Sequence, residues 1–299
     1  MGMLGNKVFL SSVLFVLFST GILKAQVADN SKIDSVQKQT EARKVKYLSG
    51  LRKVNSDKEL KYADSVAIAK NIFQSDIRFL SQDYQRMQSN EFNRMIETGE
   101  YKWIADTYVD ADFVIKAKVV RPATKAEEDK GLNELKEYFK SPKALECEKV
   151  INSQLGKPAP AFSVVDVNGV KYDLNELKGK VVVLNFWFIG CGPCRKEVPK
   201  LNELVEKYKD KEVVFLAFEV NNNTPDKVKA ITEKWFKYTQ IPTKRTEVAQ
   251  QYQVKVYPTS YVIDQQGIVR LGFFAYNPFK LPELDTTIES LLKQKPAKK

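Results

Sequence analysis

The chain contains no histidine and only three cysteines in 299 residues. The first absence removes Ser–His and Cys–His catalysis together with every His-ligated metal site. The second argues, in an exported chain, against a scaffold stapled by several disulfides. Concentrated positive charge is also lacking. The net charge is +11, but residues 1–26 contribute +2, residues 27–155 another +2, and residues 156–299 the remaining +7. Four of those last cations (Lys293, Lys295, Lys298 and Lys299) sit in a terminal tail, and no basic stripe interleaves with aromatics. No nucleic-acid partner, no metal and no cofactor is therefore expected.

What is present begins with an apolar run. Lys7 precedes Val8–Leu23, which is built almost wholly from Val, Leu, Phe, Ile and small residues. A charged start followed by an apolar segment reads as a secretory signal over residues 1–25, with cleavage after Ala25. A membrane anchor through residues 8–23 is the competing reading, although the run falls short of the ~20 residues that a comfortable span needs. Either way the remainder of the chain is expected in the cell envelope, with the soluble periplasmic form favoured.

Residues 27–152 are expected to form a mainly α-helical domain. Ser56 and Glu59 have capping-box spacing. Val66, Phe73, Ile77, Leu80, Tyr84 and Met87 recur at spacings that predict one helical face, and Gly99 is expected to end the short helix that follows. Phe113, Ile115, Ala117 and Val119 alternate with Lys116 and Lys118, which predicts a strand with one wet face, stopped at Arg121-Pro122. Ser141 as cap and Pro142 in the first turn open another helix. On that helix, read over residues 142–155, Cys147 shares a face with Ala144, Ile151 and Leu155, so it is expected to pack inward as a small apolar residue, with a resolving or partner-linking role as the other reading. No motif that carries chemistry lies in this half.

Gly156-Lys157-Pro158-Ala159-Pro160 marks a boundary, because two prolines in three residues do not continue a helix. Beyond it the texture changes. Asn168-Gly169 signals a tight hairpin, and Val181–Trp187 is apolar apart from Asn185, as in a strand buried on both faces. A helix over 195–208, a strand over 213–218, a helix opened by Thr224-Pro225, a hairpin over 261–274 and a helix over 282–293 follow. This order predicts a compact α/β domain over residues 155–295.

Cys191-Gly192-Pro193-Cys194 falls between the buried strand and the helix after it. Unpaired amides at a helix N-terminus favour negative charge, so this position favours a thiolate on Cys191, and the thiolate is the nucleophile. Two intervening residues let the sulfurs bridge while leaving the first exposed. The competing readings are half of a zinc site, which lacks a second ligand pair, and a structural crosslink.

The segment Asn185-Phe186-Trp187-Phe188-Ile189-Gly190-Cys191-Gly192-Pro193-Cys194-Arg195-Lys196-Glu197-Val198-Pro199 resembles the thioredoxin superfamily, and within it the exported TlpA/ResA branch (redoxin, or AhpC/TSA-like). The start Gly156–Phe162, Asn185 in place of a buried aspartate, and Glu197 three residues after Cys194 are similar to that branch. Gly190 departs from it, since relatives carry tryptophan there. Tyr257-Pro258-Thr259-Ser260-Tyr261 resembles the segment that holds the superfamily's cis-proline. The resemblance implies a thioredoxin-like C-terminal domain and a redox disulfide between Cys191 and Cys194. It also implies that Tyr257 and Pro258 dock an extended substrate and that Glu197 affects proton traffic; a solvated helix charge is the other reading of Glu197. Asn185 is expected to be a hydrogen-bonded buried amide and Trp187 to be core packing.

The function this implies is thiol–disulfide oxidoreductase chemistry on protein thiols and disulfides, with reduction favoured. The electron donor would be a membrane thiol-transfer protein, and cytochrome c maturation is the role offered by resemblance. The rivals are a thiol peroxidase of the same fold and a non-catalytic client-binding envelope protein. Peroxidases place one cysteine after a threonine-rich turn, whereas Cys191 follows Ile189-Gly190.

Overall fold

The computed structural model describes residues 32–97 and 101–294. The expected signal or anchor, Gly99 and the tail lysines Lys295, Lys298 and Lys299 lie outside the described residues. By Cα packing the chain divides into two units. The first takes the described residues up to Phe92 together with Ala105–Arg121, and the second takes Asn93–Ile104 and everything from Pro122 onward.

The first unit combines helices with a four-stranded sheet. Helix α1 covers residues 32–48 and α2 covers Asp57–Ala69; strands β1 (Arg52–Lys53), β2 (Arg78–Leu80), β3 (Trp103–Val109) and β4 (Ile115–Pro122) order as β1-β3-β4-β2. Ser56 caps α2 by accepting from the Glu59 amide, while the Glu59 carboxylate accepts from Asn55 N at 2.9 Å. The alternation read over 113–119 is that of β4: Ile115, Ala117 and Val119 are buried against Leu48 of α1 and Ala63 of α2. The single helical face expected from Val66 to Met87 does not form. Helix α2 ends at Ala69, and Asn71 takes a left-handed φ of 52°, which breaks the helix. Leu80 and Phe79 are buried from strand β2 instead, and Phe73 is exposed. Short helix α3 (Ser89–Ile96) follows β2.

The second unit is a five-stranded sheet with helices on both faces. Its strands are β7 (Val181–Trp187), β8 (Val213–Glu219), β9 (Thr239–Pro242), β10 (Thr259–Ile263) and β11 (Val269–Phe274), in the order β11-β10-β7-β8-β9. β7, β8 and β9 are parallel; β10 runs antiparallel to β7 and β11 antiparallel to β10. The Asn168-Gly169 turn joins the small hairpin of β5 (Ser163–Val165) and β6 (Lys171–Asp173). This is the thioredoxin-like arrangement expected of the C-terminal half.

Every residue of β7 is buried, because successive side chains enter different cores. Val181, Val183 and Trp187 pack with Val198, Leu201 and Leu204 of α6 (Gly192–Tyr208) and with Leu284, Ile288 and Leu291 of the C-terminal helix Leu281–Lys293. Val182, Leu184 and Phe186 pack on the other face with Phe162, with Tyr252, and with Ala144, Cys147 and Ile151 of α5 (Pro142–Asn152). Cys147 is thus buried, as its spacing predicted, and burial pushes its thiol pKa up. The helix ends at Asn152 rather than 155, however, and Leu155, beyond its last turn, is exposed instead of sharing the buried face. Ahead of α5, helix α4 (Lys125–Phe139) starts from a complete capping box between Thr124 and Glu127.

Helix α5 sits against β11 at Gly272. A Cβ there would meet Ile151 Cγ2 at 2.7 Å and the Tyr261 ring at 2.9 Å, so only glycine permits this approach. Since α5 supplies part of one core, its removal is expected to weaken the domain: burial of Ile151 alone is worth about 1.5–3 kcal/mol. A fragment of residues 122–294 should melt cooperatively, and a fragment of residues 155–294 about 10 °C lower or more. Equal melting temperatures would show that α5 adds nothing to the fold.

Candidate active site

The candidate site lies where β7 ends and α6 begins. The loop Phe188-Ile189-Gly190 turns the chain, with Gly190 at φ 92°. A Cβ at Gly190 would meet no atom within 4 Å, so backbone conformation rather than crowding selects glycine where tryptophan was the expected residue. The Cys191 amide donates to Phe188 O at 3.0 Å and closes the turn.

Cys191 is the N-cap of α6. Its sulfur accepts from the Cys194 amide at 3.2 Å, and Pro193 occupies the first turn, where a missing N–H costs no helical bond. A disulfide joins Cys191 and Cys194 across a Cα separation of 5.3 Å. Both residues are buried, Cys191 at 3% and Cys194 at 2% exposure. This differs from the expected exposure of Cys191. The bridge folds its sulfur back over the first turn, and Ile189, Phe188 and Tyr257 pack against the same cluster. No acidic side chain occupies the first turn of α6, which keeps the field of the helix N-terminus uncompensated.

Glu197 follows one turn later and is 1% exposed, so it is not a solvated helix charge. Its Oε1 accepts from Asn185 Nδ2 at 2.7 Å, while Oε2 has no partner among the described residues. Burial pushes its pKa up to about 8, and the Asn185 bond opposes that only in part. Asn185 also donates to Ser260 Oγ at 3.0 Å, across the β7–β10 register that sets Asn185 opposite Ser260. The amide is the hydrogen-bonded buried group that was expected, and it ties α6 to β10 through the sheet. Trp187 packs edge-on against Trp235 and Phe236, in keeping with a core role.

The Tyr257–Pro258 peptide bond is cis. The Tyr257 ring meets Phe188 edge-on at 5.6 Å, which brings the turn before β10 beside the loop before Cys191.

Several residues at the site carry no local signal in the sequence. Glu219, at the end of β8, is fully buried and accepts from the Ile189 amide at 3.2 Å and from Asn223 Nδ2 at 3.0 Å. It therefore braces the loop two residues ahead of Cys191. Tyr238 is buried with its hydroxyl unpartnered among the described residues, and its pKa rises through burial first and the Glu197 charge second. Glu97 pairs with Arg195 Nε at 2.9 Å, and Lys196 lies 4.7 Å from the Tyr101 ring centroid. Burial lowers the Lys196 pKa, and Glu97 opposes the shift. The parallel register of β7 and β8, which sets Glu219 beside Trp187, could have singled out Glu219 as the one acidic residue ending a buried strand.

Among the described residues no group of three or more Cys, Asp or Glu side chains could hold a metal ion, and no helix is long and apolar enough to cross a membrane.

Comparison with known proteins points to the same half of the chain. The AhpC/TSA family model matches residues 155–271. The thiol-disulfide oxidoreductase ResA of Bacillus cereus is 43% identical over 117 residues, which cover 39% of this chain and 67% of that protein. The thioredoxin-like protein YneN of Bacillus subtilis is 34% identical over 123 residues, covering 41% of this chain and 72% of that protein. Among solved structures, the thioredoxin domain of a thiol-disulfide oxidoreductase from Bacteroides vulgatus aligns with a TM-score of 0.41 at 28% identity, covering 46% of this chain and 98% of that one.

Proposed function

We propose a function on one premise: the chain belongs to the thioredoxin superfamily, as a ResA-like thiol-disulfide oxidoreductase. On that premise it reduces disulfides of partner proteins in the cell envelope. A membrane thiol-transfer protein restores its dithiol. The observation that carries the reading is the Cys191–Cys194 bridge at the start of α6, with the protonatable Glu197 buried one turn behind it.

The exchange runs in two displacements. The Cys191 thiolate attacks one sulfur of the partner's disulfide; an S–S bond forms, the partner's S–S bond breaks, and its second sulfur leaves as thiolate. Cys194 then loses its proton and attacks the Cys191 sulfur. The mixed disulfide breaks, the partner's first sulfur leaves as thiolate, and Cys191–Cys194 closes. Two electrons pass to the partner, and solvent protonates its thiolates. Glu197 takes or returns a proton during this cycle, a role that its burial and raised pKa support, and Tyr257 with Pro258 supplies the surface on which an extended partner segment lies. Supporting an envelope location is the charged and apolar start of the sequence, Lys7 followed by Val8–Leu23. A cytochrome c precursor is one client that family resemblance offers.

Insulin provides the test. With dithiothreitol as electron source the chain should accelerate insulin reduction, and it should not consume hydrogen peroxide faster than free dithiol does. Peroxide consumption without insulin reduction would transfer the assignment to a thiol peroxidase. Binding of clients that survives loss of both cysteines would favour a client-binding protein.

A further inference from the structure

Arg245 stands on the rim of the site with its positive charge unbalanced. Its guanidinium lies 5.3 Å from the Phe188 ring centroid and 5.0 Å from that of Tyr257. These two residues belong to the loop before Cys191 and the turn at Pro258. Nε and Nη2 both donate to Asn221 Oδ1, at 3.2 Å and 2.9 Å. Asn221 is neutral, and among the described residues no carboxylate pairs with Arg245. The nearby acids are engaged elsewhere. Glu247 accepts from Thr243 Oγ1 at 2.6 Å and from the Lys244 amide at 3.2 Å. Glu219 Oε1 is held by Ile189 and Asn223, and its Oε2 is buried with no hydrogen-bond partner among the described residues, Arg245 included.

The platform under Arg245 is fixed by backbone bonds. The Thr243 amide donates to Glu219 O at 2.8 Å and the Asn222 amide to Thr243 O at 3.0 Å, and Asn221 bridges Lys244. Two aromatic rings and an amide oxygen therefore orient a planar cation whose remaining N–H groups have no acceptor among the described residues. An arginine has five donors, and two are spent on Asn221. Those that remain include a pair with the spacing of a carboxylate's two oxygens. Rings that flank the cation attract it and keep its plane from turning.

We propose that Arg245 forms a carboxylate subsite that selects partner segments carrying an aspartate or glutamate close to the target cysteine. The proposal rests on the exchange function above and adds its substrate preference. A segment lying along Tyr257 with its sulfur at Cys191 advances about 3.3 Å per residue. An acidic side chain one to three residues from the cysteine then comes within reach of the guanidinium.

The test uses the full chain in its reduced form and short peptide disulfides with amidated C-termini, so that only side-chain carboxylates are offered. Glutamate is placed one, two or three residues from the cysteine on either side, each peptide with a glutamine twin. For at least one placement the glutamate peptide should react about fivefold faster in kcat/KM at low salt, the upper range for one exposed charge pair, through KM rather than kcat. The preference should shrink as salt rises, vanish in Arg245→Gln and persist in weakened form in Arg245→Lys. The ratio of twin rates is the readout, so a general loss of activity in a variant cancels. Equal rates for every twin pair in the unmodified chain, or an undiminished ratio in Arg245→Gln, would overturn the arginine subsite alone. Failure of the unmodified chain to reduce any peptide would overturn the subsite and the exchange function together.

Discussion

Cys191→Ser is expected to lower disulfide exchange by at least about a thousandfold, the scale seen when a covalent catalyst loses its nucleophile, whereas Cys194→Ala should arrest the cycle halfway. The asymmetry follows from position. Cys191 caps α6 and receives the field of its free amides, which favours the thiolate that must attack first. Cys194 lies inside the first turn, and the proposed cycle assigns it the attack that breaks the mixed disulfide. Without it the Cys191 sulfur stays joined to the partner's sulfur, and a conjugate that dithiothreitol releases should accumulate on non-reducing gels. Cys147→Ala is the control, because that thiol is buried in the opposite core, between α5 and the sheet, and burial holds its pKa up. It should keep its exchange rate. A Cys194→Ala protein that traps nothing, beside a Cys147→Ala protein that has lost activity, would overturn the assignment of roles.

The Cys191–Cys194 pair was legible because its signal is local. A nearly continuous apolar run predicts a strand buried on both faces, and Cys-Gly-Pro-Cys, a short loop beyond its end and with proline at a first-turn position, marks the start of the next helix. Asn185 was legible for a related reason, as the one polar residue in that run. Glu197 was visible as a residue but not in its state: spacing along α6 places it one turn behind Cys194, while its burial depends on Asn185 of β7 and on the packing of Tyr238. Glu219, Tyr238 and Arg245 come from segments that only the β7-β8-β9 order brings to the loop, so no window of sequence holds them together. The first unit resisted reading because β1 and β2 span two and three residues, too short for alternation to register. Apolar residues at helix-like intervals from Val66 to Met87 were divided between a helix and a strand, and no periodicity anticipates the left-handed Asn71 between them.

Glu197→Gln is expected to remove a large pH dependence from the stability of the oxidised protein. The Glu197 pKa stands at about 8 instead of 4.5, driven by burial, and the only influence against it is one hydrogen bond from Asn185. A carboxyl whose folded pKa is raised binds its proton more tightly in the folded chain than in the unfolded one. Its contribution to stability is therefore complete below about 4.5 and is lost as pH rises through about 8. Across that window the loss is on the order of 5 kcal/mol. Glutamine has the shape and neutrality of the protonated acid and can still accept the Asn185 bond, so the variant should match the parent near pH 5. At pH 9 it should be the more stable of the two by several kcal/mol, a difference in which every other titrating group cancels. Urea unfolding of both proteins at a series of pH values reads this directly, and parallel stability curves would show that Glu197 is not held in its neutral form. The same variant bears on the chemistry. If Glu197 exchanges a proton with the site during resolution by Cys194, the parent's exchange rate should bend near pH 8, and the bend should be absent in Glu197→Gln. A stability difference without that bend would make the carboxyl a buried structural acid, with solvent supplying the proton traffic.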